Sequence, residues 1–277
     1  MLMDSSIIQN AFEQRSTLSA SDLAKLRPVI DQALSLMDKG VLRSADIKDG
    51  TWVVNALVKQ VILLNFLATQ CKVMEGAFGV SRAFDKFSLK FDSWTAEDFL
   101  KFQIRVVPGA VVRYGAYIAS GVVLMPCFVN VGASIGEKTM IDTWATVGSC
   151  AQVGSGCHIS GGAGIGGVLE PLNASPVIIE DNVFIGARSE VAEGVIVRQG
   201  AVIGMGVFLS ASTPIIDRAS GRVFYGEVPE NAVVISGSRV DPANPAISIY
   251  AAVIVKYADQ KTRGKTALND LVRGILD

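Results

Sequence analysis

VVRYGAYIASGVVLMPCFVNVGASIGEKTMIDTWATVGSCAQVGSGCHISGGAGI, residues 111–165, is the stretch that decides the fold. An aliphatic or aromatic residue recurs at every sixth position: Val111, Tyr117, Val123, Val129, Ile135, Ile141, Val147, Val153, Ile159 and Ile165. A small residue follows four positions after each of the first nine: Gly115, Gly121, Cys127, Ala133, Thr139, Ala145, Ala151, Cys157 and Ala163. A period of six fits neither an amphipathic helix nor an alternating strand, so the repeat itself is the structural unit. It predicts a mainly β fold, a left-handed parallel β-helix whose triangular coils stack about 4.8 Å apart with the sixth residues pointing inward.

The period breaks once, directly after Ile165. Residues 166–176, GGVLEPLNASP, follow no six-residue pattern, and the period resumes in a new phase at Ile179, Ile185, Val191, Val197, Ile203 and Leu209. An insertion in a solenoid has to leave the stack, so an external loop is expected near residues 167–176. Long ordered loops are often functional, although a tolerated excursion remains the alternative.

The flanking sequences divide the chain into three parts. Residues 1–100 are expected to form a mainly helical N-terminal domain, including a helix that Pro28 opens and Gly40 ends. Residues 101–240 form the β-helix in this interpretation. Residues 241–277 are expected to contain a strand, a basic segment and a final amphipathic helix.

Composition limits the classes of function. A formal net charge of −1 over 277 residues argues against a nucleic-acid-binding surface. The most apolar candidate helix, Trp52 to Ala68, contains Lys59 and other polar residues, which predicts a buried helix and no membrane partner. The first residues lack the pattern of a signal peptide, so a cytoplasmic location is expected. The four cysteines show no CxxC spacing and the chain has one histidine, so no metal site is expected.

Several longer motifs are more specific than the repeat. They are RVVP at 105–108, IDTWATVGSCAQ at 141–152, GIGGVLEPL at 164–172 and FIGARSE at 184–190. With these motifs the chain resembles the 2,3,4,5-tetrahydropyridine-2,6-dicarboxylate N-succinyltransferase family over nearly its whole length. The resemblance implies transfer of a succinyl group from succinyl-CoA, as co-substrate, to the amine of ring-opened tetrahydrodipicolinate (2-amino-6-oxopimelate) in lysine and diaminopimelate biosynthesis. It also implies a homotrimer with active sites between neighbouring solenoids.

Two carboxylates are the catalytic candidates that the resemblance implies. Asp142 and Glu190 would lie near the reacting amine, and either could accept its proton. Asp142 follows an inward-pointing Ile141, so its side chain leaves the prism and can face a cleft. The alternatives are a solvated surface aspartate and, for Glu190, an ordinary surface ion pair with Arg188.

The substrate-binding residues implied by the resemblance are Arg105, Asp142, Trp144 and Arg188. Arg105 stands one step before the first repeat, and because an arginine cannot fill an apolar prism it should turn outward. There its guanidinium could hold a substrate carboxylate in bidentate fashion. Alternatively, it covers the open end of the core with its side-chain stem.

The cofactor-binding candidates fall into two groups. Gly166, Gly167 and Ala187 have small side chains that permit close approach of a pantetheine arm to backbone amides. Lys256, Lys261, Arg263 and Lys265 form a basic group suited to the adenosine phosphates. A solvated charged face is the alternative for the basic group.

Two other classes of function stay open on the sequence. One is a six-residue-repeat O- or N-acetyltransferase that uses His158 as its base, since histidine titrates near neutral pH. The other is a non-catalytic solenoid scaffold, because a fold does not by itself establish a function.

Overall fold

The computed structural model of the protein describes residues 4–75 and 82–258. The first hundred residues contain helices and two antiparallel hairpins. The helices are α1 (Ser5–Glu13), α2 (Ala20–Asp38), α3 (Ala56–Ala68) and α4 (Ala96–Phe102). The hairpins pair β1 (Ala45–Lys48) with β2 (Thr51–Val54) and β3 (Lys72–Glu75) with β4 (Arg82–Asp85). None of the helices in these two ranges has the length and apolar character needed to cross a membrane.

Two helix starts predicted from the sequence are wrong. α2 begins at Ala20, well before Pro28, because the Ser19 side chain accepts a hydrogen bond from the Asp22 N–H and forms a capping box there. Trp52 lies in strand β2, and α3 begins only at Ala56. The predicted end of α2 is confirmed, since Gly40 follows the helix with a φ of 71°.

The centre of the chain winds into a left-handed parallel β-helix with three faces of two-residue strands. The first face contains β5 (Arg105–Val106), β8 (Val123–Leu124), β11 (Met140–Ile141), β14 (His158–Ile159), β17 (Phe184–Ile185) and β20 (Val202–Ile203). The second face contains β6 (Val111–Val112), β9 (Phe128–Val129), β12 (Thr146–Val147), β15 (Gly164–Ile165), β18 (Glu190–Val191) and β21 (Phe208–Leu209). The third face contains β7 (Tyr117–Ile118), β10 (Ser134–Ile135), β13 (Gln152–Val153), β16 (Ile178–Ile179), β19 (Ile196–Val197) and β24 (Glu227–Val228).

A four-strand extension continues the first face past β20. The strands are β22 (Ile215–Asp217), β23 (Val223–Phe224), β25 (Ala232–Val240) and β26 (Ser248–Tyr257), in the order β20-β25-β26-β22-β23. β25 and β26 form a long antiparallel hairpin. The predicted C-terminal helix lies outside the described residues.

The inward residues confirm the predicted period from Val129 onward but not before it. The repeat positions from Val129 to Leu209 are buried in one continuous core. In the first coil and at the start of the second, the residue one place later points inward instead: Val112, Ile118 and Leu124 join this core. The reason is that the turn before Val129 is shorter by one residue. As a result, Val112 pairs with Val129 and Ile118 pairs with Ile135. The predicted inward positions of Val111, Tyr117 and Val123 are therefore wrong.

A second core joins the helices to the outside of the β-helix. Ile30 and Leu34 from α2 and Ile62 from α3 pack there with Val131 and Cys150, which come from turns of the solenoid. Close contact is possible at Gly132, where a Cβ atom would lie 2.9 Å from Ile62 Cδ1. The residues between β15 and β16 leave the coil stack, and Leu169 and Leu172 pack against this second core.

Candidate active site

One corner of the β-helix brings two of the longer motifs together. Thr146 pairs with Gly164, and Gly164 pairs with Glu190, so these residues are stacked on three successive coils. Two residues earlier in each coil, Trp144 and Arg188 occupy equivalent places at the corner between the first and second faces. The segments IDTW and GARSE therefore lie two coils apart, about 10 Å along the axis.

The coil between these segments carries almost no side chain at the corner. Its sequence, Gly161-Gly162-Ala163-Gly164, is called the glycine coil here. A Cβ atom at Gly162 would lie 2.6 Å from Arg188 Nη1, and one at Gly164 would lie 2.5 Å from Glu190 Cδ. The side chains of Arg188 and Glu190 thus extend over the glycine coil toward the coil that carries Asp142.

Asp142 is oriented by its own turn and by a histidine. Its Oδ1 accepts hydrogen bonds from the Thr143 N–H at 2.6 Å and the Thr143 hydroxyl at 3.2 Å. Its Oδ2 lies 3.7 Å from His158 Nε2. The His158 ring packs against Phe184, with 5.2 Å between ring centroids. Asp142 is thus held on the first-face side of the glycine coil, with a partly exposed carboxylate.

Glu190 is exposed at the surface, and partial burial of its carboxyl raises the pKa above the ordinary value. A carboxylate with a raised pKa holds a proton better, which improves general base catalysis near neutral pH. No ion pair joins Glu190 to Arg188 among the described residues, so the surface ion pair considered from the sequence is absent from the structure.

Trp144 and Arg188 are held in an uncommon backbone conformation. Their φ angles are 61° and 58°, in the left-handed region that a bulky residue rarely adopts. Such conformations cluster at functional sites. Trp144 is 61% exposed, so a large apolar ring stands on the rim of the corner, where a ligand can contact it.

Arg105 is separated from the other predicted substrate ligands. It lies on the first face, in a ladder in which Arg105 pairs with Val123, Val123 with Met140 and Met140 with His158. Arg105 is therefore two coils below the strand that precedes Asp142. Its neighbour Val106 packs against the core, so Arg105 occupies the outward position expected from the sequence.

The predicted cofactor glycines line a pocket beside the corner that carries Glu190 and Arg188. Gly166 and Gly167 share a cavity of about 390 Å³ with loop residues and with the next coil. Its lining residues are Gly166, Gly167, Val168, Ala174, Ser175, Val177, Ala192, Glu193 and Gly194. Gly166 follows the two-residue strand that begins at Gly164, and Ala192 follows the one that begins at Glu190. The pocket therefore opens one strand away from the Glu190 carboxylate. Ala187 lies outside this pocket, at the corner.

Lys256, the predicted phosphate-binding cation among the described residues, does not line this pocket. Lys256 pairs with Val233 in the extension of the first face, beyond β20. Lys261, Arg263 and Lys265 lie outside the described residues.

The buried thiols are unsuited to nucleophilic chemistry. Burial raises the pKa values of Cys127, Cys150 and Cys157 to about 12, which keeps these thiols protonated at neutral pH. Within the described ranges, no group of three or more histidine, cysteine, aspartate or glutamate side chains could hold a metal ion.

Sequence reasoning missed the residues that create space and orient the carboxylate. Gly162 and Gly164 make room for Arg188 and Glu190, and Thr143 orients Asp142. The run of glycines at 161–164 was visible in the sequence. Its meaning depends on which segment stacks on it, and the intervening insertion hides that register.

Comparison with known proteins gives a consistent result. Residues 5–67 match the family described as tetrahydrodipicolinate N-succinyltransferase N-terminal, and residues 176–211 match the hexapeptide repeat of succinyl-transferase. The chain is 54% identical over 272 residues to 2,3,4,5-tetrahydropyridine-2,6-dicarboxylate N-succinyltransferase of Methylobacterium sp. (strain 4-46), covering 96% of each chain. It is 53% identical to the protein of the same name from Acinetobacter baylyi, covering 97% of this chain and 98% of the relative.

A solved structure gives independent support for the fold. It is described as a putative 2,3,4,5-tetrahydropyridine-2-carboxylate N-succinyltransferase from Campylobacter jejuni. It matches with a TM-score of 0.51 and 18% identity over 81% of this chain and 62% of that chain. Identity of more than half with curated relatives, over almost the whole length of both chains, carries the assignment. The chain belongs to the 2,3,4,5-tetrahydropyridine-2,6-dicarboxylate N-succinyltransferase family.

Proposed function

We propose that this protein transfers the succinyl group of succinyl-CoA to the amine of 2-amino-6-oxopimelate, the ring-opened form of tetrahydrodipicolinate. The products are N-succinyl-2-amino-6-oxopimelate and CoA, in a step of lysine and diaminopimelate biosynthesis. The observation that carries the proposal is the glycine coil between Asp142 and Glu190. Its missing side chains let Arg188 and the Glu190 carboxylate extend toward the coil that carries Asp142, next to the pocket at Gly166 and Gly167.

The chemistry needs a neutral amine and a proton acceptor. The amine nitrogen attacks the thioester carbon, the carbonyl oxygen gains negative charge, and the nitrogen becomes more acidic as the new bond forms. In our proposal Glu190 accepts this proton because burial raises the pKa of its carboxyl. Asp142, held by Thr143, orients the amine by accepting a hydrogen bond from it. Collapse of the intermediate breaks the carbon–sulfur bond, and the CoA thiolate leaves and takes up a proton.

The substrate carboxylates require cations. Arg188 extends over Gly162 and can bind the carboxylate closer to the amine. Arg105 lies two coils below the strand before Asp142, roughly 10 Å along the axis. An extended pimelate skeleton whose amine lies at Asp142 can direct its far carboxylate toward Arg105. The exposed ring of Trp144 would cover the aliphatic part of the same substrate.

The cofactor would enter beside the second face. Gly166 and Gly167 would contact the pantetheine arm, and Ala187 would let the thioester approach the corner closely. We propose Lys256, Lys261 and Arg263 as the partners of the adenosine phosphates of the cofactor. We also propose a cytoplasmic location. We propose a homotrimer because closed symmetric assemblies are common and triangular prisms have flat sides that can pack around a threefold axis.

A screen of acyl donors and acceptors on purified protein tests this function. Release of CoA thiol from succinyl-CoA, but not from acetyl-CoA, and only with the cyclic imine dicarboxylate present, supports it. Thiol release from acetyl-CoA with a hydroxyl acceptor would support the His158 acetyltransferase instead, and no turnover with any acyl-CoA would support a scaffold. A monomeric mass in sedimentation at micromolar concentration would contradict the homotrimer.

A further inference from the structure

A buried lysine connects the helical domain to the loop beside the cofactor pocket. Lys59, on α3, is completely shielded from solvent. Its Nζ donates hydrogen bonds to the Ala174 carbonyl at 2.6 Å and to the Pro171 carbonyl at 3.3 Å. Within the described residues it forms no ion pair with a carboxylate.

Such a residue is unfavourable for a simple packing role. An ammonium removed from water without an opposite charge loses hydration that carbonyl oxygens replace only in part. In agreement, burial lowers the pKa of Lys59 below its ordinary value. A methionine would fill the same volume without this cost. The two hydrogen bonds to the loop are therefore the feature that needs the charge.

These hydrogen bonds hold both ends of one turn. The Ala174 N–H donates to the Pro171 carbonyl at 3.1 Å, which closes the turn, and Lys59 bonds to the carbonyls of these same two residues. Leu169 and Leu172 pack against the core around α3 and fix the loop from its apolar side. Lys59 thus supplies the polar half of the attachment.

The held turn forms a wall of the cofactor pocket. Ala174, whose carbonyl accepts the shorter bond from Lys59, lines the cavity together with Ser175 and Val168. Gly166 and Gly167, which follow strand β15, line the same cavity and pack closely against the backbone of neighbouring coils at Ala192 and Gly148. The width of the pocket therefore depends on where the turn is held.

We infer that Lys59 is a positioning residue for the acyl-CoA substrate, which it affects by holding the Pro171–Ala174 turn in the pocket wall. This inference rests on the proposed function, because it takes the pocket as the acyl-CoA site. A preordered wall spares the ligand the entropy of ordering the loop, so Lys59 acts on cofactor binding. It has no part in proton transfer, since it lies beside the loop and not beside Asp142 or Glu190.

The test is the variant Lys59→Met, which retains the apolar stem and loses the ammonium. We expect the KM for succinyl-CoA and the Kd for CoA, measured by calorimetry, to rise about tenfold, equal to about 1.4 kcal/mol. We expect kcat at saturating cofactor and the KM for the amine to stay within about twofold of wild type. Hydrogen exchange of the amides from Leu169 to Ser175 should become faster in the absence of ligand.

Lys86→Met is the matched control. Lys86 also donates from Nζ to a backbone carbonyl, that of Phe66 at 2.5 Å, but that carbonyl is not part of the loop. The control loses an equivalent lysine–carbonyl bond and should leave the KM for succinyl-CoA unchanged. A folded Lys59→Met protein with wild-type KM and CoA affinity would overturn the inference, as would an equal KM rise in the Lys86 variant.

If Lys59→Met does not fold, Leu172→Ala replaces it, because that change loosens the same turn from its apolar side. It should raise the KM for succinyl-CoA in the same way, and an unchanged KM would count against the inference. The wild-type protein separates this outcome from failure of the proposed function. Absence of succinyl transfer by wild type refutes the function, whereas wild-type turnover with an unaffected Lys59→Met KM refutes only the role of Lys59.

Discussion

Replacement of Gly164 by alanine should disable catalysis without disturbing the fold. The added methyl would meet Glu190 Oε2 and would lie 2.5 Å from Cδ, and ordinary contact begins at 3.4 Å, so the carboxylate has to retreat by more than about 1 Å. Gly164 does not have a positive φ, and the equivalent place in the preceding coil carries Thr146, so the solenoid tolerates a side chain there. The obstacle is the end of a flexible side chain, which moves more easily than the backbone.

The expected loss follows from the displacement. A misplacement of about 1 Å can cost roughly 10²-fold in rate, and loss of a general base typically costs about 10²- to 10⁴-fold. We therefore expect kcat for Gly164→Ala to fall about 10²-fold. Steady-state kinetics with succinyl-CoA measure this effect, and the melting temperature, which should change little, confirms the fold.

A double-mutant cycle provides the control. If Gly164→Ala acts only by moving the Glu190 carboxylate, then adding it to Glu190→Gln should cause no further loss of kcat. Wild-type turnover by Gly164→Ala would refute the reasoning. Losses that multiply in the double variant would also refute it, because they would show that the methyl blocks the substrate independently of Glu190.

Three further predictions concern the carboxylates and their partners. Asp142→Asn should lower kcat by about 10²- to 10⁴-fold with nearly unchanged CoA affinity, and His158→Asn should cost much less; the reverse order in folded protein would favour the acetyltransferase. Because burial raises the pKa of Glu190, kcat should fall on acidification at a higher pH than the ordinary glutamate value of 4.5, and Glu190→Gln should abolish that step in the pH profile. Arg198 bonds to Glu180 at 2.8 Å, and Arg198→Met should cost about 1 kcal/mol of stability in urea unfolding at neutral pH. Burial opposes ionisation of Glu180, but hydrogen bonds from its neighbours lower its pKa overall, so this contribution is present above the ordinary glutamate pKa and is lost as the pH falls through the lowered value.

The period of six predicts the solenoid but not its phase at the beginning. Each of the strands β6, β7 and β8 consists of two adjacent apolar residues: Val111–Val112, Tyr117–Ile118 and Val123–Leu124. In such pairs either residue could point inward, so the pattern of side chains does not distinguish the two phases. The turn shortened by one residue before Val129 decides it. From Val129 onward, several strands pair the inward residue with a preceding polar or small residue, namely Ser134, Thr146, Gln152, His158, Gly164 and Glu190, and these strands define the phase of the core correctly.

The contacts of α3 with the loop were beyond any local pattern. Lys59 interrupts an apolar run, which from the sequence indicates only that the helix does not cross a membrane. Its carbonyl partners lie more than a hundred residues later, and only the packing of the helices on the outside of the solenoid brings them together. Long-range polar contacts of this kind depend on the docking of two units, which periodicity does not encode.

The location of the site depends on the register after the insertion. Val153 pairs with Ile179 across it, and every later coil inherits that alignment, which puts Glu190 beside Gly164. A shift of one coil would put Glu190 elsewhere and leave the glycine coil facing other side chains. At this corner the glycine coil carries no side chain that would obstruct Arg188 and Glu190, which extend across it toward the coil that carries Asp142. In our proposal the glycines and the carboxylates have to occur in this order along the stack, because a side chain on the glycine coil would displace the Glu190 carboxylate from the reacting amine.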